Sequence, residues 1–159
     1  MPSKASAATP LFTIGYEQTG VRGLVETLHD AGVKVLVDVR ELPNSRRAGF
    51  SKRMLAASLA EGGIEYVHVR ALGTPKEGRI ANRARRWTEF WSIVDTALAT
   101  PAARTAFEQV ALIAKEKRAC LLCLEADHST CHRLRVAETL AADHGFAIEH
   151  LRVELPSVV

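Results

Sequence analysis

Two short apolar runs constrain the fold of this chain more than any other feature of its sequence. Val33–Val39 (VKVLVDV) is rich in β-branched residues, and Ala119–Glu125 (ACLLCLE) is apolar almost throughout. Such runs are typical of parallel strands that are covered on both faces. Helical patterns alternate with them along the chain, for example the i, i+3, i+4 spacing of apolar residues in Val21–Ala31. The sequence therefore predicts an α/β fold with a mainly parallel five-stranded sheet and helices on both faces, in a Rossmann-like three-layer arrangement.

The predicted elements follow one another as βαβαβααβαβ within one domain that spans residues 11–159. The predicted strands are Leu11–Gly15, Val33–Val39, Ile64–Val69, Ala119–Glu125 and Phe146–Val153. The predicted helices are residues 21–31, 52–61, 87–98, 102–117 and 131–144. We expect the strand order 3-2-1-4-5, a disordered lead-in over residues 1–10, and a mobile basic loop over residues 70–86 beside the site.

The amino-acid composition limits the classes of protein to which this chain can belong. The chain has 159 residues, of which 47% are hydrophobic, enough to bury a core of its own. No apolar run approaches the roughly 20 residues that cross a bilayer, and the start lacks the apolar core of a secretory signal. Of three cysteines, Cys120 and Cys123 lie within a strand pattern, which suits free thiols better than disulfides. We therefore expect a cytoplasmic protein with no membrane partner.

Residues that carry chemistry cluster where the second apolar run ends. Cys123 and Glu125 close that run, and Cys131, His132 and Arg133 open the next helical pattern. Open α/β sheets bind ligands at the carboxyl ends of strands and the amino ends of helices. A thiol in the first turn of a helix, beside an imidazole and a guanidinium, has a lowered pKa. Cys131 is therefore the candidate nucleophile or redox centre, with His132 as acid/base and Glu125 as a third catalytic residue.

Each of these interpretations has a structural alternative. The alternative for Cys131 is a small, half-buried residue at a helix start, and the alternative for Cys123 is an inert apolar residue of its strand. Glu125 would then only form an ion pair, with Arg40 or Arg133 as its partner. The spacing Cys-x7-Cys-His lacks the paired short spacings of structural zinc sites, so no metal is expected. No Gly-rich dinucleotide or phosphate-binding motif occurs, so no cofactor is expected either.

A second group of polar residues follows the first apolar run. Asp38 and Arg40 share one face of the strand, so an ion pair between them would hold the guanidinium. Ser45 and Arg46 in the following loop would complete an anion site, and Tyr16 would lie beside it. The alternative is a purely structural Asp–Arg pair, because buried polar groups need partners in either case.

Several separated motifs occur in order along the chain. They are TIGY at Thr13–Tyr16, LVDVR at Leu36–Arg40, P-x-S-R at Pro43–Arg46, GFS at Gly49–Ser51, LG at Leu72-Gly73, C-x-E at Cys123–Glu125 and CHR at Cys131–Arg133. Together they resemble a bacterial family known as domain of unknown function 488. The resemblance extends from Thr13 to about Leu151. It implies a compact α/β domain whose marked residues gather at one end of the sheet, and it brings no established activity.

A weaker likeness is to rhodanese-like domains, in which a V-D-V-R-type strand end and a later strand with a nucleophilic cysteine frame the active loop. The residues after Cys123 are Leu124, Glu125 and Ala126, which is not the glycine- and arginine-containing amide cradle of such a loop. No arginine stands six positions beyond Cys123 or Cys131, so a cysteine-phosphatase loop is absent as well.

Two functions remain open. The first is a thiol-dependent enzyme that acts on a small anionic substrate, phosphorylated or nucleotide-like, with Arg40, Arg46 and Arg133 as anion ligands. The second is a nucleotide or nucleic-acid binding module that uses the basic segment 40–86, where 11 Lys and Arg against 4 acids give +7 in a chain of net charge +3. A Cys131 sulfur sealed under the preceding loop would favour phosphate binding over covalent chemistry.

Overall fold

A computed structural model describes residues 8–154 and places a five-stranded sheet at the centre of the protein. The strands are β1 (Pro10–Gly15), β2 (Val35–Asp38), β3 (Glu65–His68), β4 (Ala119–Cys123) and β5 (Ala147–His150). All neighbouring strands pair in parallel. The predicted α/β class is therefore confirmed. Most of the predicted lead-in, residues 1–7, lies outside the described residues, and Pro10 already begins β1.

Six α-helices cover the two faces of this sheet in the described residues. They are α1 (Val21–Asp30), α2 (Lys52–Glu61), α3 (Lys76–Arg83), α4 (Trp87–Leu98), α5 (Pro101–Glu116) and α6 (Arg133–His144). Two short 3-10 turns, Arg70–Leu72 and His128–Thr130, precede α3 and α6. Helices α1 and α2 pack on one face of the sheet, and α3 to α6 pack on the other. No helix in residues 8–154 is long and apolar enough to cross a membrane.

The strand order is β3-β2-β4-β1-β5, so the predicted order 3-2-1-4-5 is wrong. Strand β4 inserts between β1 and β2 and pairs with both, as Leu121 does with Thr13 and Val37. All five residues of β4 are buried, which is the burial expected of a central strand. The connection from β1 through α1 to β2 therefore skips one strand position in the sheet, and β4 occupies that position.

Alternation along β4 sends its two cysteine side chains to opposite faces of the sheet. Cys120 and Leu122 belong to the core beneath α1 and α2, whereas Leu121 and Cys123 belong to the core beneath α3 to α6. Cys123 is also the last residue of the strand. Its thiol therefore lies at the carboxyl edge of the sheet, on the opposite face from that of Cys120.

The predicted basic loop over residues 70–86 is mostly helical. Helix α3 packs against α4 through small residues, because Gly78 and Ala81 are buried and a Cβ at Gly78 would lie 3.1 Å from Ile93. A helix that contacts its neighbour through glycine and alanine has no stripe of large apolar residues. The sequence of α3 therefore lacks the apolar periodicity that predicts a helix.

Candidate functional site

The carboxyl ends of β1, β2 and β4 open into a cavity of about 290 Å³, whose other walls come from α3 and α4. Four of the eight site residues that the sequence predicts line this cavity: Tyr16, Arg40, Glu125 and His132. Cys123 lines it too. The cavity therefore lies where open α/β sheets bind their ligands.

His132 stands just before the first turn of α6 and is buried. Its Nε2 lies 2.8 Å from the carbonyl oxygen of Val39, which only accepts hydrogen bonds, so Nε2 carries a proton. In the neutral ring Nδ1 is then an acceptor. This Nδ1 lies 3.5 Å from Sγ of Cys123 and 3.8 Å from Sγ of Cys131. The main-chain carbonyl of Val39, the residue directly after β2, thus orients the ring so that a basic nitrogen faces two thiols.

The two thiols differ in their access to the cavity. Cys123 lines it, whereas Cys131 does not and is only 1% exposed. Helix α6 begins at Arg133, two residues later than Cys131, because the 3-10 turn His128–Thr130 precedes it. The expected position of Cys131 in the first turn of a helix is therefore wrong. The buried Cys131 sulfur counts against covalent chemistry at that residue. Cys123, which the apolar run suggested to be inert, is the thiol that a ligand would meet.

The protonation of these thiols is coupled. The hydrogen bond to Cys131, together with burial, raises the pKa of Cys123. Burial opposes a thiolate at Cys131, but hydrogen bonds from Cys123 and His132 and the nearby cations lower the pKa of Cys131. Burial likewise opposes the imidazolium, yet the interaction with Cys131 raises the pKa of His132. The three groups therefore share protons as one unit.

Glu125 follows β4 and turns its carboxyl group toward the cavity. Its Oε2 lies 3.7 Å from Sγ of Cys123. Burial, and secondly the negative charge at Cys131, raise the pKa of Glu125 to about 8. Among the described residues its carboxylate makes no ion pair, so the structural alternative of a pair with Arg40 or Arg133 is not what the fold forms. A protonated carboxyl group here can donate a proton.

Arg40 is held at the cavity wall by a buried ion pair. Its Nε and Nη2 donate to both carboxylate oxygens of Asp38, at 2.9 and 2.6 Å for the two shortest contacts. Its Nη1 donates to the carbonyl of Phe50 at 2.7 Å and to the hydroxyl of Tyr16 at 3.3 Å. Burial disfavours the charge, but Asp38 outweighs it and raises the pKa of Arg40. The predicted Asp38–Arg40 pair and the adjacent Tyr16 are both present.

Helix α3 adds polar residues that the sequence reasoning missed. Arg79 lines the cavity and donates to Glu41 at 3.1 Å and to the carbonyl of Thr74 at 2.8 Å. The hydroxyl of Thr74 is buried in the cavity wall without a hydrogen-bond partner among the described residues. Asn82 and Arg83 also face the cavity. The sequence signal that could have identified Arg79 and Arg83 is the excess of basic residues over residues 70–86.

Three predicted substrate ligands do not line the cavity. The hydroxyl of Ser45 accepts a hydrogen bond from the main chain of Arg47 at 3.1 Å and so shapes its own loop. Arg46 is exposed. Arg133 is fully buried, and its guanidinium donates to the carbonyl oxygens of Glu125 and Ala126. Arg133 therefore holds the loop after β4.

The fold also brings together groups that a metal ion binds. Sγ of Cys123, Sγ of Cys131 and Nδ1 of His132 all lie within 4.8 Å of one another. The expectation of no metal depended on spacing along the chain, which does not measure this distance. Tertiary structure thus makes a three-donor cluster from residues that lack a zinc-motif spacing.

Comparisons with known proteins identify the family. The family model described as Domain of unknown function DUF488 matches residues 20–140. Comparisons with curated proteins and with solved structures gave no significant match. The chain therefore belongs to the DUF488 family, as its motifs indicated.

Proposed function

We propose that this DUF488 protein is a thiol-dependent enzyme that acts on a small anionic substrate, phosphorylated or nucleotide-like, at the carboxyl ends of the strands. One observation carries the proposal: Sγ of Cys123 lies at the cavity wall, 3.5 Å from Nδ1 of His132, whose ring is oriented by the carbonyl of Val39. A nucleophile within reach of a base that a third group orients loses its proton to that base as the new bond forms, so attack does not require a lowered pKa at Cys123.

The roles follow from position. Cys123 Sγ attacks an electrophilic atom of the substrate, and Nδ1 of His132 accepts the thiol proton as the new bond forms. The leaving group departs with the bonding electrons and receives a proton from Glu125, whose carboxyl group is 3.7 Å from the same sulfur. Cys131 lies behind Cys123 and is within reach of the same imidazole. Because Cys131 does not line the cavity, its role is to share protons with Cys123 and His132 and not to contact the substrate.

Anion recognition is supported by two clamped guanidinium groups. Arg40 is fixed by Asp38, and Arg79 is fixed by Glu41, so neither has to be ordered when a ligand binds. The unpartnered hydroxyl of Thr74 is costly to bury, and an anionic oxygen in the cavity would supply its missing partner. A volume of about 290 Å³ is at the low end of ligand pockets, which suits a small substrate. Three free cysteines fit the reducing cytoplasm of a bacterium.

Alkylation of chelator-treated protein near neutral pH tests the thiol chemistry. We expect iodoacetamide to modify Cys123 much faster than Cys120, which is buried on the other face of the sheet and serves as the internal control. His132→Gln should slow the reaction of Cys123 by at least about tenfold, because the thiol loses its base. Equal, slow modification of Cys120 and Cys123 would refute the proposal.

Turnover and binding provide the second part of the test. A screen of small phosphate and sulfate esters should find a substrate whose turnover Cys123→Ser abolishes and Cys120→Ala preserves. Inorganic phosphate should protect Cys123 from alkylation, and Arg79→Gln should weaken this protection. Arg46→Gln is the matched control, because Arg46 is exposed and lies outside the cavity.

A nucleotide or nucleic-acid binding module is the second candidate. It is favoured by an open groove that adjoins the cavity, where Arg83 and Arg85 lie with Trp87, which is 38% exposed. The carboxylates of Glu17 and Glu125 also line this groove. Cations beside an exposed aromatic ring suit a phosphate backbone with stacked bases. Binding of a short oligonucleotide should then weaken steeply with salt, and Arg85→Gln should reduce the salt slope by about one.

A further inference from the structure

We propose that Cys123, Cys131 and His132 bind one Zn²⁺ ion, with a fourth coordination position that faces the cavity. The proposal goes beyond the thiol enzyme, because it assigns these groups a second, metal-bound state. It depends on the positions of three donor atoms and not on the enzymatic reaction.

The distances between the donors fit a tetrahedral ion. Zinc bonds of about 2.3 Å to sulfur and 2.0–2.1 Å to nitrogen, at tetrahedral angles, separate the two kinds of ligand by about 3.6 Å. Nδ1 of His132 lies 3.5 Å from Sγ of Cys123 and 3.8 Å from Sγ of Cys131. Both distances are therefore close to the separation of nitrogen and sulfur ligands in a tetrahedral zinc site, and the two sulfurs lie within 4.8 Å of each other.

The second hydrogen bond of the imidazole supports the same assignment. Histidines that bind metals through one nitrogen almost always donate the other N–H to a carbonyl, a carboxylate or water. Nε2 of His132 donates to the carbonyl of Val39 at 2.8 Å, which leaves the lone pair of Nδ1 directed at the sulfurs. Tautomer and ring orientation are thus already those of a metal ligand.

The donor set selects the metal. Two thiols and one imidazole suit a borderline-soft ion such as Zn²⁺ and do not suit Mg²⁺ or Ca²⁺, which prefer oxygen. Two cysteines and one histidine with one open position form a donor set known from catalytic zinc sites, whereas structural sites close the fourth position with protein. Cys123 and His132 line the cavity beside Glu125, so water or an anionic ligand can reach the fourth position.

Metal binding and thiol attack exclude each other. The bound ion takes the lone pairs of Cys123 Sγ and His132 Nδ1, and both thiols give up their protons to solvent when it binds. The metal-loaded protein therefore has no free nucleophile at the cavity. Removal of the ion restores the pair, so zinc would act as a reversible inhibitor of thiol chemistry.

Direct metal binding tests this site. Chelator-treated full-length protein should bind one Zn²⁺ per chain in a competition titration, and Co²⁺ should give the absorption bands of thiolate-to-cobalt charge transfer. Cys131→Ala and His132→Gln should each weaken Zn²⁺ binding by at least about 100-fold, since loss of a supporting group alone costs about 10–100-fold. Cys120→Ala is the matched control and should bind Zn²⁺ as the wild type does.

Three results would overturn the site: less than one ion per chain, a cobalt spectrum without charge transfer, or wild-type affinity in Cys131→Ala. Counting of thiols in the wild type avoids dependence on variants that fold poorly. Zn²⁺ should hide Cys123 and Cys131 from a disulfide reagent, and a chelator should expose them again. Because these readouts measure the metal directly, they can succeed or fail independently of any turnover.

Discussion

Gly15 lies directly against the main-chain carbonyl of Glu125, so that a Cβ on residue 15 would lie 1.8 Å from that oxygen. Gly15 ends β1 opposite Cys123, and the chain beyond it continues the contact, since the main-chain N–H of Glu17 donates to the carbonyl of Leu124 at 2.8 Å. The absence of a side chain at residue 15 therefore allows the carboxyl end of β4 to approach β1. This approach places Glu125 at the cavity.

Gly15→Ala should displace the segment after β4 and destabilise the protein. The clash is with main-chain atoms, which cannot rotate away, so we expect a loss of about 1–3 kcal/mol in the free energy of unfolding. Urea denaturation measures this loss. Gly20→Ala is the control, because nothing lies within 4 Å of a Cβ there. Wild-type stability in Gly15→Ala would mean that the two segments do not touch.

The fold class was predictable because a strand that is buried on both faces of a sheet has a recognisable apolar sequence. β4 is apolar throughout and β2 is apolar except for Asp38, and every residue in both strands is buried. The order of the strands was not predictable in the same way. The periodicity of a segment indicates which of its faces are buried. It does not indicate which connection between strands skips a position in the sheet, and this decides that β4 lies between β1 and β2.

The chemistry of the site was easier to predict than its geometry. The segment from Cys123 to Arg133 supplies both thiols and the imidazole, as its residue types suggested. The choice between the thiols depended on a short turn, in which the carboxylate of Asp127 accepts a hydrogen bond from the main chain of Ser129 at 2.9 Å. Because of this turn the helix begins at Arg133 and not at Cys131, and Cys131 is buried. Aspartate two residues before serine favours this turn, but it does not fix where the helix begins.

Asp38→Asn should be among the most damaging single substitutions. The buried carboxylate of Asp38 accepts hydrogen bonds from the guanidinium and main chain of Arg40 and from the hydroxyl of Tyr66. Asparagine leaves the buried cation without its counter-charge, which costs about 3–5 kcal/mol. Chemical denaturation checks the value. Glu65→Gln is the control, since its pair with Lys117 is exposed and contributes at most about 1 kcal/mol. A loss below that of the control would contradict the buried pair.

His150 should make stability dependent on pH. Its ring stacks on His128 at 3.6 Å, and Nδ1 lies 2.6 Å from the hydroxyl of Thr13. Burial, and then the charges of His128 and Arg133, lower the pKa of His150 in the folded state. The unfolded chain, with a pKa of about 6.5, then binds more protons, so the free energy of unfolding falls as pH decreases below that value.

Urea denaturation at pH 8 and pH 5.5 measures this dependence. His150→Gln should lose less stability than the wild type between the two pH values, because glutamine does not titrate. His29→Gln, which alters an exposed histidine of α1, should retain the wild-type dependence. An identical fall in stability in wild type and His150→Gln would assign the pH dependence to other groups.

Arg133 provides a test that separates positioning from substrate binding. The sequence places it beside the thiols and predicts an anion ligand, whereas in the structure its fully buried guanidinium donates to the carbonyls of Glu125 and Ala126. Arg133→Met keeps most of the volume but leaves both carbonyls without donors, so we expect a loss of about 1–3 kcal/mol in the free energy of unfolding. Arg135→Met on the same helix is the control, because the partly exposed pair of Arg135 with Asp95 contributes about 1 kcal/mol or less.

Phosphate affinity completes the comparison. If Arg133 positions the loop, Arg133→Lys should also lose stability, because a single ammonium group cannot reproduce the fork that spans two carbonyls. Its phosphate affinity, measured by protection of Cys123 from alkylation, should then fall less than that of Arg79→Gln, whose guanidinium lines the cavity. Wild-type stability in Arg133→Met combined with a greater loss of phosphate affinity than in Arg79→Gln would make Arg133 the anion ligand, and the loop would need another support.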